Sequence, residues 1–302
     1  MTSAIDVRDM RKAYGAVVAV DGVSFQVELG EIFGIVGPNG AGKTTMIECL
    51  EGQRQPDSGS VRVLGFDPQR DGQELRERIG VQLQEANLPG RLRVWEALDL
   101  FASFYRQAAE RQQLLDQLGL VEKRNTPFVK LSGGQKQRLF IALALINNPE
   151  LVFLDELTTG LDPQARHAAW DVVRNIRERG KTVVLTTHFM EEAERLCDRV
   201  AIMDHGKIVA LDTPHNLVRS LEGDTRIVFE IDGQFDASVL GGLAARIERD
   251  GNRVVVYGNG DNLLGDIVRA LEMSECRFRD LRMERPNLED VFLAVAGRQM
   301  RD

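Results

Sequence analysis

The sequence predicts an α/β fold whose buried strands end in polar, chemistry-bearing residues, and three stretches carry that prediction. The apolar run Ile32-Phe33-Gly34-Ile35-Val36 leads into Gly37-Pro38-Asn39-Gly40-Ala41-Gly42-Lys43-Thr44 and then into the helix-like Thr45-Met46-Ile47-Glu48-Cys49-Leu50. The run Leu151-Val152-Phe153-Leu154 ends in Asp155-Glu156, and Val183-Val184-Leu185-Thr186-Thr187 ends in His188. Short continuous apolar runs read as strands buried on both faces. Open α/β sheets place ligands outside the carboxyl ends of such strands, where all three polar groups fall.

The first stretch has the spacing of a phosphate-binding loop between a strand and a helix. Its glycines allow left-handed turns and close approach of backbone N–H groups to an anion, and the following helix adds the partial positive charge of its N-terminus. Lys43 is then placed to reach the β- and γ-phosphates of a nucleotide, and the Thr44 hydroxyl to ligate Mg2+. Strand, loop, helix and the Lys-Thr pair agree, which favours nucleotide binding over a structural turn.

The chain has 302 residues, enough for two domains, with 43% hydrophobic and 28% charged residues, the balance of a soluble globular protein. A net charge of -8 gives no overall positive field for a polyanion, so nucleic acid is not expected as a partner. No apolar stretch reaches the roughly 18 to 20 residues needed to cross a bilayer, and the opening residues lack a signal peptide's apolar core. Any membrane role is therefore expected to be peripheral. Cys49, Cys197 and Cys276 are odd in number and widely spaced, without zinc or redox spacing, and read as reduced cytosolic residues, mostly core.

Taken in order, Val23, Phe25 and Val27 alternate as a half-buried strand before Gly30 turns the chain. Tyr14 precedes that strand in a turn, where its ring either stacks on a purine base or packs in the core. Gly59, Val61 and Val63 suggest a short strand, and residues 79–84 another, after a helix-like stretch from Gln73 to Arg78. Gln84 is expected at that strand's end. From Val94 to Leu120 the pattern turns helical, with Leu98, Phe101, Ala102, Tyr105, Leu114, Leu115 and Leu118 as its apolar face. Leu131-Ser132-Gly133-Gly134-Gln135 then opens a strongly helical run. Ser132 fits an N-cap, and the neighbouring glycines leave room for an incoming phosphate. His188 fits either a ligand-binding or a structural histidine. Residues 200–210 read as a hairpin around Asp204-His205-Gly206, followed by a helix opening at Pro214.

Beyond Glu222-Gly223-Asp224 the pattern restarts. Ile227, Phe229 and Ile231 alternate as a strand, Val254 and Val256 form another, and Leu281 with Met283 a third. A helix over 263–271 and a closing helix from Leu288 complete a small α+β domain of about 75 to 80 residues. Arg277, Arg279, Arg282 and Arg285 are interrupted by Asp280 and Glu284, as on a solvated face.

The loop from Gly37 to Thr44, the signature from Leu131 to Gln135, the Asp155-Glu156 pair, the Leu161-Asp162 turn and His188 follow in the order found in ATP-binding cassette (ABC) transporter subunits. The sequence resembles that family from about Ile5 to Leu221, and the signature narrows the choice among nucleotide hydrolases. The tail Arg285-Pro286-Asn287-Leu288-Glu289-Asp290-Val291-Phe292-Leu293 is similar to the end of bacterial drug-exporter ATPases of the daunorubicin-resistance type. One departure is Leu157, where the family usually has proline after the glutamate. The resemblance implies an ABC ATPase cassette over residues 1–221, with a RecA-like core, an antiparallel β subdomain and a helical subdomain at about 85–150. The C-terminal α+β domain then spans 222–302.

The resemblance also implies roles. Residues Gly37, Pro38, Asn39, Gly40, Ala41, Gly42, Lys43, Thr44 and Thr45 would bind ATP, with Tyr14 stacked on adenine. Thr44, Gln84 and Asp155 would hold Mg2+, Glu156 would be the general base, and His188, Gln84 and Lys43 would attend the γ-phosphate. Leu131, Ser132, Gly133, Gly134 and Gln135 would bind ATP held by a second copy, with Leu161 and Asp162 beside them, so a homodimer sharing two ATP sites is implied. A separate integral membrane permease is the other implied partner, with this chain peripheral on the cytoplasmic face of the membrane. Export of a small hydrophobic drug or lipid-like compound is the leading expectation. A soluble ABC-type ATPase of DNA repair or translation is the alternative, against which stand the acidic charge, the single cassette and the lack of a coiled-coil insertion. A nucleotide-binding regulator without turnover is disfavoured by Glu156.

Overall fold

A computed structural model describes residues 3–82, 87–221, 225–231, 236–244, 246–258, 262–274, 276–284 and 286–299. Gln84, Glu222-Gly223-Asp224 and Arg285, all singled out by the sequence, lie outside the described residues. Contacts divide the chain into two compact units, Met1–Pro214 and His215–Asp302.

The first unit begins with β1 (Ser3–Tyr14), β2 (Val17–Glu28), β3 (Ile32–Val36), α1 (Lys43–Leu50), β4 (Ser58–Val63), α2 (Gly72–Arg76) and β5 (Ile79–Gln82). The helical segment follows as α3 (Val94–Ala102), α4 (Arg111–Gln117) and α5 (Gly133–Ala144), and the core resumes with β6 (Leu151–Asp155), α6 (Pro163–Glu178), β7 (Thr182–Thr187), α7 (Met190–Leu196), β8 (Arg199–Asp204) and β9 (Lys207–Asp212). β5, β6, β7, β3 and β8 pair in parallel in the order β5-β6-β7-β3-β8, and β9 closes the edge as the antiparallel arm of a hairpin with β8. β3, β6 and β7 are buried along their whole length, as strands covered on both faces must be.

A second, antiparallel sheet runs β2-β1-β4. Its inward residues Ile5, Val7, Met10, Val23, Phe25 and Val27 share one core with Phe33 and Ile35 of β3 and with Met46, Ile47 and Leu50 of α1. The Phe25 and Phe33 rings stack at 5.4 Å and 7°, a pairing that adds about 1 kcal/mol beyond area burial. Tyr14 ends β1 rather than occupying the turn, because β1 carries strand pairing up to Tyr14 opposite Val17.

α8 (Pro214–Arg219) starts at the last residue of the first unit, and the second unit continues with β10 (Thr225–Ile231), β11 (Arg246–Asp250), β12 (Arg253–Gly258), α9 (Leu263–Met273), β13 (Phe278–Glu284) and α10 (Leu288–Gln299). The antiparallel order is β11-β12-β10-β13, and Ile227, Phe229, Ile231, Val254 and Val256 pack on Leu263, Ile267 and Leu271 of α9. The expected alternation is thus observed, with β11 as an added strand. β11 is mostly exposed and charged, so it lacks the apolar alternation that reveals its neighbours.

Glu51 follows α1 and is buried, and its Oε2 accepts a hydrogen bond of 2.6 Å from Gln53 Nε2. Burial pushes its carboxyl from 4.5 up to about 8; the Asp155 charge adds to the rise, the Gln53 hydrogen bond opposes it, and the Glu48 charge adds again. Between those two values the native chain keeps a proton that the unfolded chain loses, so Glu51 draws stability down as pH rises from 4.5 to about 8. The neutral isostere Glu51→Gln removes this dependence. Its advantage over wild type should grow by roughly 4 kcal/mol between about pH 5 and pH 8. Denaturant unfolding at the two pH values checks this, and a pH-independent difference would refute it.

Candidate functional site

The loop after β3 follows from two close approaches. A Cβ on Gly37 would lie 2.2 Å from the Met203 carbonyl oxygen, and one on Gly42, whose φ is 101°, would lie 2.0 Å from the Ala19 carbonyl oxygen. Only hydrogen fits at both positions, so the loop lies directly against β8 and β2. It is tied there by the Gly206 N–H, which donates to Ala41 O at 3.0 Å, and the Asp21 N–H, which donates to Gly206 O at 2.9 Å. α1 then starts at Lys43 without a side-chain cap, and Thr44 lies exposed in its first turn.

Lys43 is only 5% exposed, and its Nζ donates to Gly37 O at 2.9 Å and Pro38 O at 3.0 Å, with Glu156 Oε1 at 3.9 Å. Burial lowers its pKa, while the Glu156 and Asp155 charges pull it back up. Asp155, at the end of β6, is buried and accepts a short hydrogen bond from the Thr186 hydroxyl. Its pKa is raised, first by burial; the Thr186 hydrogen bond lowers it, Glu156 raises it and Lys43 lowers it.

Glu156 is held in an unusual shape. Its φ is 48°, a left-handed conformation that costs a non-glycine residue about 1–3 kcal/mol. Its N–H donates to Thr186 O at 3.2 Å and Thr186 Oγ1 at 3.0 Å, and its Oε2 accepts from the Thr159 hydroxyl at 3.4 Å. Its side chain is 8% exposed and its Oε1 lies 3.5 Å from His188 Nδ1. Leu157, in the place of the family's proline, is 2% exposed and so anchors the chain beyond Glu156 by burial.

The ends of β3, β6 and β7 thus bring Lys43, Asp155, Glu156 and His188 together, as the three sequence stretches predict. Thr186 and Thr159 join them; the sequence places Thr186 at the end of an apolar strand but gives neither threonine a role. Gln84 lies outside the described residues. Tyr14 is 42% exposed, which rules out a core role, with Lys12 Nζ at 5.7 Å and Arg54 Cζ at 5.5 Å from its ring centroid.

The signature residues form a separate surface. Leu131 is buried, whereas Ser132 and Gly133 are exposed. Ser132 is the N-cap of α5: its Oγ accepts from Gln135 N at 3.3 Å, and Gln135 Oε1 accepts from Ser132 N at 3.0 Å. The cap uses the Gln135 N–H and leaves the rest of the first turn at the positive end of a three-turn helix, a position that suits an anion. Asp162 similarly caps α6, accepting from Ala165 N at 2.8 Å. A Cβ on Gly134 would meet Ala165 Cβ at 3.1 Å, so the two capped helix starts pack against each other.

The donor set fits a divalent cation only in part. Among the described residues no group of three or more His, Cys, Asp or Glu is arranged to hold a metal. Thr44 and Asp155 carry oxygen donors of the kind that a hard divalent cation takes, and they would be the residues to hold one.

The narrow cradle makes Gly42→Ala informative. The methyl group would strike the Ala19 carbonyl and add strain on the order of 1–3 kcal/mol, so nucleotide affinity should fall tenfold or more. Titration with a fluorescent ATP analogue checks this, and unchanged affinity would mean that the loop relaxes freely.

Comparison with known proteins bears on this geometry. The family profile described as ABC transporter matches residues 20–159. A protein of Ralstonia nicotianae named Nod factor export ATP-binding protein I is 40% identical, over 100% of this chain and 96% of its own length. The solved ATP-binding subunit of an ABC transporter is 28% identical with a TM-score of 0.65, covering 72% of this chain and 93% of that one. A dimeric ATP-binding cassette in a post-hydrolysis state with ADP and Pi is also 28% identical, with a TM-score of 0.63, covering 69% of this chain and 98% of that one. The chain belongs to the ABC transporter family as an ATP-binding subunit, an ATPase coupled to transport.

Proposed function

We propose that this chain powers export through a separate membrane permease by hydrolysing ATP in sites shared between two copies of itself. The observation that carries the proposal is the convergence of Lys43, Asp155, Glu156 and His188 at three adjacent strand ends, together with the exposed, capped start of the signature helix. One copy would supply the loop from Gly37 to Thr45 and the carboxylates, and the other Leu131 to Gln135 with Leu161 and Asp162. Family cassettes form dimers and work with membrane components, which supports this arrangement.

In the proposed reaction Lys43 turns from its own loop carbonyls to the β- and γ-phosphates. Glu156 accepts the proton of the attacking water, and His188, whose Nδ1 faces Glu156, donates to the γ-phosphate through its other ring nitrogen. Thr44 and Asp155 would hold Mg2+, with Gln84 included by its place in the sequence, and Tyr14 would stack on adenine through its exposed ring. Mg2+ would supply neutralisation of phosphate charge. ATP then acts as the adhesive between copies, and hydrolysis releases them.

The name of the Ralstonia relative supports export. The cargo we propose is a small hydrophobic or lipid-like compound, recognised mainly by the permease. No helix among the described residues is long and apolar enough to cross a membrane. The chain would therefore sit on the cytoplasmic face by docking to the permease.

Glu156→Gln tests the shared site. It should keep MgATP binding, cut turnover on the order of a hundredfold or more, and accumulate an ATP-dependent dimer. Light scattering that finds only monomer at saturating MgATP, together with near wild-type turnover, would remove Glu156 from the base role. Ser132→Arg should instead leave nucleotide affinity intact and abolish ATP-driven dimerisation, because the side chain fills the space the partner's γ-phosphate needs. Dimerisation that persists in this variant would contradict the shared-site arrangement.

A further inference from the structure

His188 is the last polar group at the site and the least tethered: its side chain is 29% exposed, and its Nδ1 has no hydrogen-bond partner, with Glu156 Oε1 at 3.5 Å. What packs against it is a ring. The His188 and Phe189 centroids are 4.1 Å apart, tilted by 41°. Phe189 is itself fixed at both backbone ends. Its N–H donates to Thr187 Oγ1 at 2.9 Å, and its carbonyl accepts from Glu192 N at 3.2 Å as the N-cap residue of α7.

The same ring carries a cation from another helix. Arg166 Cζ lies 4.5 Å from the Phe189 centroid. Arg166 Nε is buried without a hydrogen-bond partner, so this part of the guanidinium is committed to the aromatic surface rather than to a carboxylate. Arg166 also belongs to the first turn of α6, where its N–H donates to Asp162 O at 2.9 Å. One turn further along, Trp170 Nε1 donates to the buried Glu192 Oε1 at 2.8 Å. α6 and α7 are therefore locked together just beyond the Arg166–Phe189 contact.

We propose that Arg166 and Phe189 are positioning residues for His188: the cation holds the ring, and the ring holds the imidazole at Glu156. This rests on the reading of His188 as the γ-phosphate contact. The arrangement links the start of α6, whose cap is Asp162, to the hydrolytic side chains by two packed contacts. Positioning of this kind acts on the rate of the chemical step and leaves nucleotide binding to the glycine loop.

The test uses the full chain and steady-state MgATP turnover. Phe189→Leu keeps apolar bulk without the ring, and Arg166→Met keeps the stem without the charge. Each should lower kcat about tenfold with KM for ATP within about twofold, and neither should lower it further in a His188→Ala background. Phe189→Tyr and Arg166→Lys, which keep ring and cation, should recover most of the rate. Unchanged kcat in the Leu and Met variants, or full additivity with His188→Ala, would overturn the proposal. If His188→Ala alone turns over normally, the γ-phosphate reading of His188 fails first, a separate outcome from normal turnover by Phe189→Leu beside an impaired His188→Ala.

Discussion

The ammonium group of Lys43, 5% exposed, sits among the Gly37 and Pro38 carbonyls with Glu156 at 3.9 Å. A cation this far from water is tolerated only with acceptors and a counter-charge around it, and supplying them fixes much of the first unit. The loop must curl back over its own lysine, which the glycines permit. The counter-charge must come from another strand, which requires β6 near β3. Register completes the arrangement: Val36 lies opposite Thr187, and Asp155 opposite Thr186, so three strand ends stop at one level.

β7 is the strand that makes this possible, because it lies between β3 and β6. Thr186 uses its hydroxyl for the Asp155 carboxylate and for the Glu156 N–H, and its carbonyl for the same N–H. A left-handed glutamate and a buried aspartate are both unfavourable by themselves. Their common threonine offsets part of each. The acidic neighbour Glu48 adds to the strain, since its charge helps to raise the pKa of both Asp155 and Glu51. Carboxylates and a lysine buried together in this way cost stability, which the large shared core offsets.

The helix starts of α5 and α6 show a different economy. Each is capped by its own side chain, Ser132 or Asp162, so a first-turn N–H is satisfied without help from another element. The contact between Gly134 and Ala165 then brings the two starts side by side on one surface. Small residues there serve close packing, while the exposed Ser132 and Gly133 are left facing outward. The Arg166–Phe189 contact lies one residue beyond Ala165, so the same stretch of α6 touches both the signature helix and the residue following His188.

Local chemistry alone determined a good deal of this protein. The glycine spacing with Lys43-Thr44, the buried runs ending in Asp155-Glu156 and in His188, and the Ser-Gly-Gly helix start are short-range patterns, and each is where the sequence places it. The alternating strands of the second unit and the hairpin around His205 are legible for the same reason. What tertiary structure decided are relations between distant stretches. Thr186 is unremarkable as a strand residue and becomes central only when β7 comes between β3 and β6. Tyr14 shows its exposed ring only once β1 pairs with β2, and β11 exists because β12 offers an edge, since its own charged residues carry no strand period. Arg166 reads as one more basic residue on a helix surface until packing sets its guanidinium over Phe189. Periodicity records which side of an element is buried, but not which element lies opposite, and it is the opposite element that gives these residues their work.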